Sequence, residues 1–248
     1  MKQNLLLEKY KKDGFVVVRK VFKKQQILKV LSELEIIKYK ASKLSRKNYH
    51  KTANGKFNTI HNINTFINKG NIIEISKSRK IINLAKMILN DKPQLRNIEF
   101  FLKPKKTGMR SPFHQDNFYW NIQNKRALNV WIACSLANSK NGGVCYYKSS
   151  HRNGLIRHVL SGEPGSSQKI SEKTLKKIDY KKVYPSLYPG DCMIHHCEVI
   201  HGSKKNTSNL DRIGLVISFK GKSAKINKQK LLNYRRLVNK NLRVLKKK

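Results

Sequence analysis

A chain of 248 residues with 39% hydrophobic content is long enough to bury one sizeable core, and its apolar runs recur too regularly along residues 14–220 for a disordered polymer. Its formal charge of +40 invites nucleic acid, yet 42 of the 54 basic residues are Lys and 12 are Arg, against the guanidinium preference of phosphate and base recognition. The excess therefore reads as surface composition that can gather anionic substrates, not as a nucleic-acid footprint.

The opening MKQNLLLEKYKKDGFVVV has only a three-residue apolar run, so it reads as neither a secretory signal nor a membrane span. A cytoplasmic protein with reduced thiols at Cys134, Cys145, Cys192 and Cys197 is the expectation, and the alternating apolar residues around Cys192 and Cys197 favour packed strand side chains over a zinc site. Residues 3–12 suggest a short helix and 14–19 a β-branched strand; 24–40 and 71–90 show helical periodicity, and the polar stretch 41–70 between them reads as a long loop. From residue 96 the period falls to two, in short segments at 97–103, 127–136, 143–147, 183–188, 191–195 and 212–219. Residues 152–182 interrupt them as a loop able to close a barrel mouth. Such spacing predicts a mainly β protein with a double-stranded β-helix core, jelly-roll or cupin-like, and flanking α-helices. One domain over 1–220 and a basic helical tail over 221–248, its last three lysines disordered, complete the organisation.

His114-Gln-Asp116 places an imidazole and a carboxylate two residues apart, which on a strand puts them on one face. Alone this pair is commonplace. A second imidazole, His201, ends an apolar strand 87 residues later, and Arg212 follows it by eleven. Two histidines and one carboxylate on one face of an octahedral iron leave three open positions, where a 2-oxo acid can chelate and dioxygen can bind beside a substrate. A guanidinium is the matching counter-ion for the far carboxylate.

The order HxD, Trp131 in the next strand, Asn141-Gly-Gly, then His201-Gly-Ser-x-x-Asn-x-Ser and Arg212 resembles the phytanoyl-CoA dioxygenase family, as does the opening Asp13-Gly-Phe-Val-Val-Val-Arg. The resemblance covers about residues 9–220. It implies that His114, Asp116 and His201 ligate Fe(II), and that Arg212 binds 2-oxoglutarate with help from Ser203. Gln115, Trp131 and Lys103 match positions that line the co-substrate pocket. Lys148-Ser-Ser-His151 departs from the family's Pro-Gly-Ser-His, so the turn there is expected to differ. His196 reads as a packing residue, and His195 as a structural residue facing away from His201 if the strand runs unbroken.

The implied activity is hydroxylation of an unactivated C–H bond by O2 and 2-oxoglutarate, releasing succinate and CO2, with ascorbate as a supporting reductant. Asp116 fills the place that halogenating relatives leave for halide. The implied partner is a small metabolite, for which the basic surface favours an anionic one, with no membrane and no nucleic acid; no oligomeric state is written in the sequence. Phe118, Tyr119 and Trp120 are candidate pocket walls. A cupin-like metal protein without 2-oxoglutarate, a demethylase and a nucleic-acid module stay open as alternatives.

Overall fold

The two periodicities of the sequence segregate in space. The computed structural model describes residues 2–45, 47–163 and 165–245; the fraying expected of the last three lysines falls outside them. The N-terminal third holds helices α1 (Lys2–Asp13), α2 (Lys24–Ser32), α3 (Leu34–Ser42), α4 (Asn71–Lys77) and α5 (Arg79–Leu89), with strands β1 (Phe15–Val18), β2 (Tyr49–Lys51) and β3 (Phe57–Ile60) between them. Strand β4 (Pro93–Lys103), β5 (Ser111–His114), the short helix α6 (Asn117–Trp120), β6 (Ala127–Ala133) and β7 (Cys145–Tyr147) follow. The rest comprises β8 (His158–Glu163), β9 (Ser166–Ile170), α7 (Glu172–Lys176), β10 (Lys182–Val183), β11 (Cys192–His196), β12 (His201–Ser203), β13 (Arg212–Gly221) and α8 (Lys228–Leu245).

A seven-stranded sheet of order β1-β11-β6-β13-β4-β3-β2 faces a four-stranded sheet of order β10-β7-β12-β5, all paired antiparallel, which is the double-stranded β-helix expected from the spacing. Alternation divides the large sheet into two faces. Ile98, Phe100 and Leu102 of β4 and Leu215, Ile217 and Phe219 of β13 pack outward against Ile27, Ile72 and Ile81 of the helices. Each such buried side chain contributes roughly 1.5–3 kcal/mol. The inward set, including Trp131, Met193 and Val216, meets Tyr146 of the smaller sheet.

Several sequence expectations need correction. The helix read over 24–40 breaks at Glu33, whose carboxylate turns away to accept the backbone N–H groups of Asn71 (2.6 Å) and Ile72 (3.2 Å) and so caps α4. The helix read over 71–90 breaks at Ser78, which is extended (ψ 141°). The loop read over 41–70 contains β3, which pairs with β4, and β2, which pairs with β3 at the edge of the sheet, and the loop read over 152–182 contains the β8–β9 hairpin. The strand expected over 183–188 shrinks to Lys182–Val183; that expected over 191–195 is β11, and His201, expected to end an apolar strand, instead opens β12 in the other sheet. All four cysteines are buried free thiols.

Candidate metal and co-substrate site

A cluster of residues able to hold a metal is assembled where the two sheets face each other. His114 ends β5 and pairs across the ladder with His201, the first residue of β12, so their rings approach to 4.4 Å between centroids. Asp116 lies beyond the strand in helical conformation (φ −59°, ψ −35°) at the mouth of α6. Its convergence with His114 thus comes from the chain turning into a helix and not from strand alternation. Asp116 Oδ1 lies 3.6 Å from His114 Nε2 and 3.8 Å from His201 Nε2, and one ligand atom from each of the three residues falls within 4.8 Å of the others. Among the described residues this is the one group of three His, Cys, Asp or Glu side chains with such spacing, and it contains no cysteine.

Every remaining atom of the three side chains is accounted for. His114 Nδ1 lies 2.8 Å from the Pro112 carbonyl and His201 Nδ1 lies 3.0 Å from that of Val199. A carbonyl only accepts, so both rings carry the proton on Nδ1 and present the Nε2 lone pair to a metal. Asp116 Oδ2 accepts from Asn129 Nδ2 (2.8 Å) and His195 Nε2 (3.1 Å), which leaves Oδ1 aimed at the imidazoles. Behind these, the Tyr146 hydroxyl donates to His195 Nδ1 (2.9 Å) and the Ser218 hydroxyl donates to Asn129 Oδ1.

Burial pushes His201 down to about 3, against the pull of Asp116. Burial acts to raise the Asp116 carboxyl, but His201 and the bonds from His114 and His195 outweigh it and hold the group well below the carboxylate range. The site is therefore an ionised carboxylate beside a neutral imidazole, the protonation state that a divalent cation needs.

His195 does not face away from His201 as expected. The chain leaves the large sheet after His196, turns through Cys197–Ile200 and re-enters the small sheet at His201, so the inward faces of two different sheets bring these rings to 4.6 Å. Gln115 also departs from its expected role. Its amide donates to the carbonyls of Gly154 (2.8 Å) and Glu198 (2.7 Å) and accepts from Ile156 N (2.8 Å), which exhausts the group in bracing and leaves it no part in lining a pocket. With Asn117 N donating to the Cys197 carbonyl (2.7 Å), both neighbours of Asp116 are tied to the turn that precedes His201. His196 accepts from Glu198 N (3.0 Å) and packs beside His151, away from the cluster.

The second part of the site is cationic. Arg212 opens β13 opposite Lys103 at the end of β4, is 1% exposed, and lies 5.6 Å over the Trp131 ring. Its Nη1 and Nη2 donate to the carbonyls of Phe101 (3.2 Å) and Gly142 (3.0 Å), while its buried Nε has no partner, and among the described residues no carboxylate pairs with it. Burial pushes it down to about 9. Gly142 lets Lys103 and the Lys204 backbone pack beside it: at φ +77° a Cβ would fall 2.8 Å from Lys103 Cδ and 2.9 Å from the Lys204 carbonyl. Lys103 Nζ donates to Ser203 Oγ (2.7 Å) and to the Lys204 carbonyl, and burial and then Arg212 hold it well below its ordinary value. Two desolvated basic groups side by side with no carboxylate beside them among the described residues are expensive.

Sequence reasoning missed Asn129, Ser218, Tyr146 and His195. The first two carried a signal: each is a polar residue inside a strand that is otherwise almost wholly apolar, buried to 6% and 1% exposure. At the Lys148–His151 turn Ser149 takes a left-handed conformation (φ 66°) that glycine would adopt more easily.

Known proteins resemble this chain in sequence and in fold. The family described as phytanoyl-CoA dioxygenase (PhyH) matches residues 10–214. The chain is 26% identical over 142 residues to phytanoyl-CoA dioxygenase domain-containing protein 1 of Danio rerio, covering 56% of this chain and 48% of the relative, so the match spans about half of that protein's length. It is 23% identical to a probable alpha-ketoglutarate-dependent hypophosphite dioxygenase of Stutzerimonas stutzeri, covering 85% of this chain and 76% of the relative. Among solved structures, EctD from S. alaskensis, with 2-oxoglutarate and 5-hydroxyectoine, superposes with a TM-score of 0.73 at 16% identity, covering 89% of this chain and 77% of the other. The non-heme alpha-ketoglutarate-dependent epimerase SnoN from nogalamycin biosynthesis gives 0.70 at 18% identity, covering 90% and 82%. At these identities the superpositions speak for the fold, while the match over most of the chain settles descent: the chain belongs to the phytanoyl-CoA dioxygenase family.

Proposed function

We propose that the protein is an Fe(II)- and 2-oxoglutarate-dependent dioxygenase that hydroxylates an unactivated C–H bond of a small metabolite, releasing succinate and CO2. The observation that carries this reading is the buried, carboxylate-free guanidinium of Arg212 in the same barrel as a preorganised His114–Asp116–His201 cluster. Tyr146 connects them, stacking at 5.8 Å on His201 and acting on the charge of Arg212. A metal-binding cupin-like protein would need the cluster but not the cation.

In this reading His114 Nε2, His201 Nε2 and Asp116 Oδ1 hold the iron, and Asn129 and His195 keep Asp116 Oδ2 from rotating into the site. Arg212 offers its free Nε–H to the distal carboxylate of 2-oxoglutarate. The Ser203 hydroxyl accepts from Lys103 and so keeps its own proton to donate to the same carboxylate. Trp131 supports the guanidinium from beneath. When bound, iron supplies the oxidising chemistry, coupling decarboxylation of 2-oxoglutarate by O2 to oxygen insertion, with ascorbate keeping the metal ferrous. Phe118 and Tyr119 of α6 wall the cluster and limit water; the Tyr119 ring lies 5.6 Å from His114 and its hydroxyl donates to the Gln168 carbonyl (3.0 Å).

Adding Fe(II) and then 2-oxoglutarate without air should produce the weak visible charge-transfer band of a ferrous 2-oxo acid chelate. Asp116→Ala should abolish it. A folded wild-type chain that binds Fe(II) but never develops the band would sink the assignment.

A further inference from the structure

The inward face of β4 carries polar side chains that neither the metal cluster nor the Arg212 pocket uses. Alternation sends Ile98, Phe100 and Leu102 to the helix-covered core and turns Asn97, Glu99, Phe101 and Lys103 inward. The register with β13 slips here: Asn97 pairs with Ser218 while Leu95 pairs with Phe219, which leaves Arg96 as the extra residue of a bulge. A bulge re-aims the side chain that it carries. Arg96 accordingly lies with its guanidinium carbon 4.7 Å over the ring of Trp120, the last residue of the helical turn after Asp116.

Three observations mark this wall as a binding surface. Arg96 has no hydrogen bond or ion pair among the described residues, although its charge lies within reach of Glu99, Asp116 and Tyr234. Arg96 is also solvent-exposed. Glu99 spends Oε1 on His61 Nδ1 (2.6 Å) and leaves Oε2 without a protein partner. The Asn97 amide makes no hydrogen bond among the described residues; it sits opposite Ser218, which bonds Asn129, which in turn holds Asp116. The wall thus starts a short hydrogen-bonded chain away from the metal carboxylate. On the far side Tyr234 of α8 packs edge-on against Phe118 (6.2 Å) and Tyr119 (5.5 Å).

Resting on the oxygenase reading above, we propose that Arg96, Asn97 and Glu99 form the substrate-recognition wall, and that the substrate is a small metabolite with an anionic group for Arg96 and a hydrogen-bond donor, such as an ammonium, for Glu99. Trp120 holds the guanidinium flat so that one edge can give two parallel N–H bonds to a carboxylate or a phosphate. The neighbouring acidic side chain then selects against molecules that are anionic at both ends. A stacking role alone would need only the Arg96–Trp120 contact and would impose no choice among ligands.

The test uses the full chain loaded with Zn(II) and 2-oxoglutarate. Binding is read by saturation-transfer NMR over free L-amino acids, their N-acetyl and carboxamide derivatives, and phosphomonoesters with their parent alcohols. Acids should bind at least tenfold more tightly than their neutral counterparts, and the stronger of the two anion classes identifies the group that Arg96 reads. Arg96→Gln should erase that preference, Arg96→Lys should restore part of it, and Glu99→Gln should erase the preference for a free amine over its N-acetyl form. Equal binding of neutral counterparts, wild-type discrimination in Arg96→Gln, or no anionic binder on a chain whose ferrous chelate band is intact would each overturn the proposal. Loss of the chelate band in the wild-type chain strikes the oxygenase reading instead.

Discussion

Two charged clusters share the interior of this barrel and are finished to different degrees. Around Asp116 every polar atom but the metal-facing ones has a protein partner: carbonyls hold the two Nδ1 protons, and Asn129 and His195 hold Oδ2. Around Arg212 the protein supplies carbonyl oxygens and a second cation but no carboxylate, and it leaves Nε bare. The first cluster is therefore close to complete without its ligand, because a missing metal costs only the ligand atoms their coordination. The second cluster carries a desolvation penalty that a bound anion would relieve. In the proposed reading, the His114–Asp116–His201 end is built for geometry and the Arg212 end for affinity.

The sharpest way to break this comparison is to remove the bare charge. Arg212→Met keeps volume while deleting the cation, so 2-oxoglutarate affinity should fall by about two orders of magnitude, the size of a lost buried charge pair. The ligand-free chain should melt at the same temperature or higher, because no carboxylate in the protein loses a partner. Calorimetric titration and a thermal scan of the same preparation check both halves. A variant that is destabilised when ligand-free would show that Arg212 serves packing first.

A smaller effect is expected at the finished end. His195→Phe removes one bond to Asp116 Oδ2 but leaves Asn129 in place, so Fe(II) affinity should drop roughly 10–100-fold with the fold intact, the range typical of residues that orient metal ligands. Tyr146→Phe, which loosens His195 by one hydrogen bond only, should shift the same titration less. If His195→Phe bound iron as tightly as the wild type, the network behind Asp116 would have no orienting role.

The smallest and broadest effect concerns acid. In the metal-free chain His201 is held neutral down to about 3 against an ordinary value of 6.5. The unfolded chain therefore takes up a proton between those values that the folded chain refuses, and stability falls as pH drops through that window. Asp116, depressed below its ordinary value of 3.8, adds stability above that value and loses it as pH falls further, so both groups act in the same direction. One proton corresponds to about 1.4 kcal/mol per pH unit. Urea unfolding of metal-free protein between neutrality and pH 4 should show a declining free energy, and a flat profile would contradict the burial of a neutral His201.

Much of the architecture was legible because period-two and period-3.6 patterns report burial directly. The strands carrying Trp131 and Arg212 and the helices over the large sheet were found this way. The misses share a cause. Strands β2, β3 and β12 and the β8–β9 hairpin are short or polar, and they exist because a neighbour offers a hydrogen-bonding edge, which no local pattern records. The helix breaks at Glu33 and Ser78 likewise answer to other parts of the chain: Glu33 leaves its own helix to cap another.

The sequence by itself determined the chemistry on offer: two imidazoles, one carboxylate and one guanidinium in an order and spacing that resembles one family, since residue type decides what a side chain can ligate or neutralise. Tertiary structure alone decided where those groups point. It turned His195 toward Asp116, spent Gln115 on bracing and swung Arg96 over Trp120 at a bulge. Side-chain direction along a strand is predictable only while the strand continues, and each of these residues sits where the chain changes sheet, enters a helix or slips register.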